Sequence, residues 1–131
     1  MKVALVGYGK MGRLLDSLAG EYGSEVVLRL DEADNKDGAG ITQDLFRGVD
    51  VAIEFSAPHV AVTNIKRLAE AGVSTVVGTT GWLGQLPEVE AAVKQHGTGL
   101  VWSSNYSIGV NVLFRLLAEA ARLLRVQNEY G

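Results

Sequence analysis

The chain has 131 residues, 47% of them apolar, a formal net charge of −3 and no cysteine. Such a length and composition suit one globular domain with a core of its own. The acidic balance leaves no electrostatic footprint for nucleic acid, and the lack of thiols excludes disulfides, thiolate zinc sites and cysteine nucleophiles.

One lysine and a short apolar run open the chain, too little for the core of a signal peptide. No later segment is long enough to span a membrane, so the cytoplasm is the expected compartment. Lys2–Val6 reads as a strand that breaks directly into Gly7-Tyr8-Gly9-Lys10-Met11-Gly12. A helix is expected from Lys10 to Glu21, with Met11, Leu14, Leu15 and Leu18 spaced along one apolar face. A strand that turns on glycines into a helix aims several backbone N–H groups, and the positive end of the helix dipole, at one point. That point suits a pyrophosphate. The first glycine allows the turn, the second lets a phosphate approach the backbone, and the third lets helix and strand pack closely.

Gly23 and Ser24 interrupt, Val26–Leu30 reads as a second strand, and Asp31 and Glu32 stand at its end. An acidic residue about 20 positions beyond a glycine turn is placed to accept the adenosine ribose hydroxyls of a dinucleotide. The polar stretch Asp31–Gly40 reads as a loop; its carboxylates lack the alternating ligand order of a calcium loop and are read as solvated. Thr42–Phe46 has the length of one helical turn capped by Thr42. Asp50–Phe55 is a third strand with Glu54 near its end, and Pro58 opens a helix through Val62, Ile65, Leu68 and Ala69 that stops at Gly72. Val73–Val77 is a fourth strand, ending in Gly78-Thr79-Thr80-Gly81; a helix from Pro87 to His96 and a fifth strand, Gly99–Ser103, follow.

Uncharged strand centres alternating with helices indicate an α/β fold: a doubly wound, Rossmann-type parallel sheet forming a single domain. Ligands of such sheets lie beyond the carboxyl ends of the strands. Here that rim comprises the glycine turn, Asp31-Glu32, Phe55 to Pro58, Gly78–Gly81 and Ser103–Ser107. Gly78, Thr79 and Thr80 offer amides and hydroxyls suited to a nicotinamide carboxamide, though a plain turn explains them equally well. Ser103-Ser104-Asn105-Tyr106-Ser107 reads both as part of the rim and as the cap of the last helix. His59 and His96 have no partner at ligand or relay spacing and read as surface or capping residues. Trp82 and Trp102 read as packing residues, and Lys10, though within reach of a phosphate, as a commonplace lysine of an exposed turn.

From Gly109 to Val126 the polar residues Asn111, Arg115, Glu119, Arg122 and Arg125 form one narrow stripe. A helix covering one sheet needs about a third of its circumference apolar, and this one has roughly twice that. It is either wedged centrally in a small domain or packed against something outside this chain. The second is preferred, and the tail Gln127–Gly131, which brings no closing strand, is consistent with it.

Four stretches together resemble dihydrodipicolinate reductase, also called 4-hydroxy-tetrahydrodipicolinate reductase, of lysine biosynthesis. They are Val3–Arg13, Asp50–Pro58, Val76–Trp82 and Asn105–Asn111, which run in order through nearly the whole chain. The resemblance implies a domain over residues 1–131 that binds a reduced nicotinamide cofactor. Gly7, Tyr8, Gly9, Lys10, Met11 and Gly12 would take the pyrophosphate, with Asp31 or Glu32 at the adenosine ribose and Phe55 in the rim between. Gly78, Thr79 and Thr80 would take the nicotinamide, and Ser103, Ser104, Asn105 and Tyr106 would border its ring. In the family, hydride passes to a cyclic unsaturated dicarboxylate within a homotetramer. Three features depart from the family pattern: a glycine turn one residue shorter than in many members, Ser104 where proline is frequent, and no second half. That half carries a His-His pair with a downstream lysine and Asp-Ala-Pro-Ser-Gly-Thr. It supplies the proton donor, the substrate clamp and the tetramer interface. No catalytic residue is therefore expected in this chain, and helix 109–126 would lead into the missing domain.

No arginine follows Asp31, and the nearest basic residues are Arg29 and Lys36. Two carboxylates would repel a 2′-phosphate, so NAD(H) is favoured, with NADP(H) as the possible alternative. A stand-alone nucleotide-sensing module of the kind found in potassium transport systems shares the glycine turn and the size. It has no need of Gly-Thr-Thr-Gly or Asn-Tyr-Ser-Ile-Gly-Val-Asn. Another amino-acid-pathway dehydrogenase with a similar cofactor half is the third reading.

Overall fold

The computed structural model describes residues 1–125. Its elements are β1 (Lys2–Val6), α1 (Lys10–Ala19), β2 (Glu25–Leu30), β3 (Val51–Glu54), α2 (Pro58–Glu70), β4 (Ser74–Val77), α3 (Leu86–His96), β5 (Leu100–Trp102) and α4 (Ile108–Leu124). The strands form one parallel sheet in the order β2-β1-β3-β4-β5. The chain winds outward from β1 in one direction to β2 and in the other to β3, β4 and β5. Right-handed crossovers in opposite directions place α1 on one face and α2 with α3 on the other. The expected doubly wound α/β domain is the one observed, and its reversal point lies between β1 and β3, where such sheets bind ligands.

Register sets the layers. Val6, Glu54, Val77 and Trp102 lie in one cross-sheet row, and Ala4, Ala52, Thr75 and Leu100 in another on the same face. Under that face Ala4, Val6, Ala52 and Leu68 pack with Ile41 and Phe46. A second cluster joins Ala61, Val62, Ile65, Val77, Trp82 and Val89 between α2, α3 and β4. The opposite row, Leu5, Ile53, Val76 and Val101, runs from full burial at Leu5 to 58% exposure at Val101.

Several boundaries differ from expectation, for local reasons. Helix α1 ends at Ala19 rather than Glu21 and tightens into a 3₁₀ turn, Gly20–Tyr22, because Gly20 is a poor helix residue and Gly23 takes a left-handed φ of 66°. Its buried side is not Met11, Leu14, Leu15 and Leu18. Gly12 is buried, Leu15, Asp16, Leu18 and Ala19 are half-buried, and Met11 and Leu14 are exposed. The helix is rolled by the need to bring Gly12 against the glycine turn. Thr42–Phe46 is a hydrogen-bonded turn, not a helix: Thr42 Oγ1 accepts from the Leu45 amide at 3.3 Å and the Thr42 carbonyl from the Phe46 amide at 3.1 Å. One turn is too short to repay helix nucleation. It still buries Phe46 to 2% exposure.

The last helix brings the main correction. Apart from half-buried Val110, every residue of α4 is exposed, including Phe114 at 55% and Leu116 at 62%. The centrally wedged helix is therefore ruled out. Ser107 starts α4 from beyond the carboxyl edge, its Oγ accepting from the Val110 amide at 3.4 Å, so the helix leaves the sheet rather than returning across it. Val126 and the tail Gln127–Gly131 lie outside the described residues.

A leucine-to-alanine pair checks this layering. Leu68→Ala, at a fully buried site, is expected to cost about 2–5 kcal/mol in denaturant unfolding. Leu117→Ala, 57% exposed, should stay within about 0.5 kcal/mol of the parent. Equal losses would contradict the exposed position of α4.

Candidate functional site

The glycine turn is clamped between its neighbours. The Gly7 amide donates to the Leu30 carbonyl at 2.9 Å, and the Phe55 amide donates to the Val6 carbonyl at 2.8 Å. Gly7 has φ +95°, and a Cβ there would lie 2.2 Å from the Phe55 carbonyl oxygen. A Cβ on Gly12 would lie 2.4 Å from the Gly7 carbonyl oxygen. Around Gly9, by contrast, a Cβ would meet nothing within 4 Å. Two glycines are needed for packing, and the middle one faces open space. Gly9 is also the N-cap of α1, where no side chain caps the helix and no acid stands in its first turn. The amides beginning at Lys10 are thus left to an external acceptor, which is the local requirement for anion binding.

A cleft of about 870 Å³ opens there, and Gly7, Tyr8, Gly9, Asp31, Glu32 and Phe55 all lie on its wall. Lys10, Met11 and Gly12 are not on that wall; they form the adjoining first turn of α1. Asp31 spends one oxygen on its own loop, with Oδ1 accepting from the amides of Ala33 (2.8 Å) and Asp34 (3.0 Å). Arg13, Ser56, Lys36, Asn35 and His59 also line the cleft. Sequence reasoning missed Arg13, although it stands one helical turn beyond Gly9. Of the two basic residues it did consider, Arg29 is committed elsewhere: its guanidinium donates to both Asp16 oxygens at 2.7 Å. Arg13 instead lies 6.0 Å from the centre of the Tyr8 ring, within cation–π range. His59, in the first turn of α2, is exposed at the cleft wall, and His96 is exposed in the last turn of α3.

The remaining rim residues lie along the sheet edge, at the ends of β4 and β5. Phe55 joins them to the cleft, because a Cβ on Gly78 would lie 2.0 Å from the Phe55 ring. Thr79 is buried, and its hydroxyl has no hydrogen-bond partner within the protein. Its carbonyl accepts from the Trp82 indole N–H at 2.8 Å, fixing the turn, while Thr80 is exposed. Trp82 is a packing residue, 3% exposed and edge-on to the half-open Trp102 with ring centres 6.0 Å apart. Past β5, the Ser103 amide donates to the Val77 carbonyl at 3.3 Å. Ser103 Oγ accepts from the Asn105 amide at 3.1 Å. Asn105 Oδ1 accepts from the Ser107 amide at 2.7 Å, and Ser104 is exposed. The Tyr106 hydroxyl returns to the rim, donating to the Val77 carbonyl at 2.9 Å, and burial of its hydroxyl end raises its pKa. Tyr106 is therefore a neutral donor at physiological pH. Ser107 is the helix cap, as the capping reading expected, and Ser103 to Tyr106 lie at the carboxyl end of β5.

The geometry presents uncapped amides, an acidic pair beside them and an unpartnered hydroxyl farther along one edge. The family model described as dihydrodipicolinate reductase, N-terminus, matches residues 1–106. The chain belongs to the dihydrodipicolinate reductase family. It is 32% identical to the 4-hydroxy-tetrahydrodipicolinate reductase of Christiangramia forsetii over 132 aligned positions, covering 100% of this chain and 53% of that protein. It is 34% identical to the same enzyme of Ralstonia nicotianae, covering 95% of this chain and 54% of the relative. The chain thus spans about half the length of the dihydrodipicolinate reductases it matches, and corresponds to their N-terminal part. A homoserine dehydrogenase structure from S. aureus superposes with a TM-score of 0.54 at 13% identity, over 79% of this chain and 32% of that one, a likeness of fold alone. Among the described residues no helix is long and apolar enough to cross a membrane, and no cluster of three or more metal-binding side chains occurs.

One contact makes the glycine turn sensitive to acid. Asp16 receives the Arg29 guanidinium and the Tyr8 hydroxyl, and these, Arg29 first, lower its pKa to about 2. A depressed carboxylate stabilises the fold above its unfolded pKa, and that contribution disappears as pH falls through the folded value. Asp16→Asn should therefore melt below the parent at pH 6. The two melting curves should converge between roughly pH 4 and pH 2; parallel curves would contradict the linkage.

Proposed function

We propose that this chain is the cofactor-binding half of a dihydrodipicolinate reductase and that its carboxyl edge holds NADH. The observation that carries the reading is the uncapped start of α1 beside the open space at Gly9. The diphosphate would lie over the turn Gly7 to Gly12, received by the free amides from Lys10 to Gly12, and the adenosine ribose against Asp31 and Glu32. Phe55 would separate this part from the nicotinamide end, where Gly78, Thr79 and Thr80 meet the carboxamide. The buried, unpartnered Thr79 hydroxyl is the kind of group a bound carboxamide satisfies. Ser103, Ser104, Asn105 and Tyr106 would border the ring on the side where the acceptor arrives.

When bound, the nicotinamide supplies hydride; the chain's own residues orient it. For the complete enzyme the acceptor would be a cyclic unsaturated dicarboxylate of lysine and diaminopimelate synthesis, in the cytoplasm and in a homotetramer. Residues 1–131 would form the dinucleotide domain, with the helix over 109–126 leading toward the second domain. Transfer requires an oriented acceptor and a proton source; the reading assigns both to the second domain, so this chain is expected to bind without turnover.

Asp31 and Glu32 favour NADH by repelling a 2′-phosphate. Arg13 and Lys36, on the same wall, narrow that margin. Calorimetry should give a lower Kd for NADH than for NADPH, and Arg13→Ala should widen the gap. Equal constants would overturn the preference, and failure of both to bind would overturn the nucleotide reading. Addition of the dihydrodipicolinate precursor to the NADH-loaded chain should leave absorbance at the nicotinamide band constant; steady oxidation would overturn the assignment of catalysis to another domain.

A further inference from the structure

The molecule buries a line of polar side chains that packing alone does not require. Glu54 and Asn64 are 0% exposed and Asn35 is 6% exposed. Glu54 Oε1 accepts from the Ser56 amide at 3.2 Å, from the Ser56 hydroxyl, and from Asn64 Nδ2 at 3.3 Å. Asn64 Nδ2 also donates to Ser56 Oγ at 3.1 Å. The other end of the Asn64 amide, Oδ1, accepts from Asn35 Nδ2 at 2.9 Å, and Asn35 Oδ1 accepts from the Gly40 amide at 3.1 Å. Each orientation forces the next. Glu54 Oε1 already accepts from the Ser56 amide and hydroxyl, so Asn64 turns its NH₂ toward that oxygen and its carbonyl toward Asn35. Asn35 must then donate, which leaves its own oxygen for Gly40.

The line ends in both walls of the cleft. Ser56 lies in the turn after β3, Asn35 lies in the loop after β2, and both line the cleft, whereas Asn64 and Glu54 do not. That loop is tightly folded: a Cβ on Gly40 would lie 2.4 Å from the Asp34 carbonyl oxygen. Stability does not explain the arrangement, because burying a polar group is expensive and Glu54 Oε2 has no hydrogen-bond partner. An apolar set of the same volume would hold the core as well or better. What the polar line adds is a fixed geometry between two loops.

We propose that Asn64 is a positioning residue that couples the Ser56 turn to the Asn35–Gly40 loop, setting the width of the cleft where the adenosine half of the nucleotide binds. The proposal rests on the nucleotide reading above. Asn64→Leu keeps the volume and cuts the line at its centre. In the unliganded 131-residue chain, amide hydrogen exchange at Gly40 and Ser56 should rise about tenfold or more, while Thr75 in β4 stays protected. The Kd for ADP-ribose should rise about tenfold, whereas Glu54→Gln, which keeps an acceptor toward Ser56 and Asn64, should stay within about threefold of the parent. If Thr75 also loses protection, Asn35→Ala cuts the line at its outer end and should raise exchange at Gly40 and weaken ADP-ribose. Unchanged exchange at Gly40 and Ser56, or unchanged ADP-ribose affinity, would overturn the coupling. A parent chain that binds no ADP-ribose overturns the nucleotide reading and the positioning role with it. Exchange reports separately on whether the two loops are joined.

Discussion

Phe55 can occupy its place only because glycine stands on both sides of it. Its carbonyl oxygen would collide with any side chain at residue 7, and its ring with any at residue 78. The turn after β3 is thus held between the turn after β1 and the turn after β4, with backbone approaching backbone on one side and ring against backbone on the other. Close packing of this kind has two discrete outcomes, fit or clash. It puts the glycine turn, the central turn and Gly78–Thr80 in one continuous edge. Everything proposed for ligand binding depends on that continuity.

Much of the basic side-chain charge is committed away from this edge. Arg29 is bound to Asp16, as Lys66 is to Glu88, Arg47 to Asp44 and Arg122 to Glu119. What the turn offers an anion is oriented amides and the dipole of α1, with exposed Lys10 and Arg13 in the first turns of that helix and Lys36 on the cleft wall. Fixed dipoles cost nothing to reorient on binding, which suits a chain whose formal charge is −3.

How much of this could be read beforehand depended on distance along the chain. The strands, the glycine turn and the rim were legible because each follows from a local period or a turn residue. Pro58 opened its helix where expected, and Ser107 capped α4. The roll of α1 was not legible, since it is set by Gly12 meeting the Gly7 carbonyl rather than by the spacing of Met11 and Leu14. Glu54 reads as the polar end of a strand, and no pattern in the sequence singles out Asn64. Their pairing with Asn35 spans 29 positions and exists only once sheet register is set. The excess of apolar residues in α4 was visible from its pattern, but its exposure was not, because periodicity reports what a helix would bury and not where the chain carries it.

The account turns on main-chain amides at the carboxyl edge receiving a nucleotide diphosphate, and an NADH titration followed by amide resonances tests that most directly. The expected result is saturable shifts concentrated at Gly7 to Gly12, with a second group at Gly78 to Thr80 and little change along α3. Shifts confined to the groove between α2 and α3, or no shifts up to millimolar NADH, would contradict it.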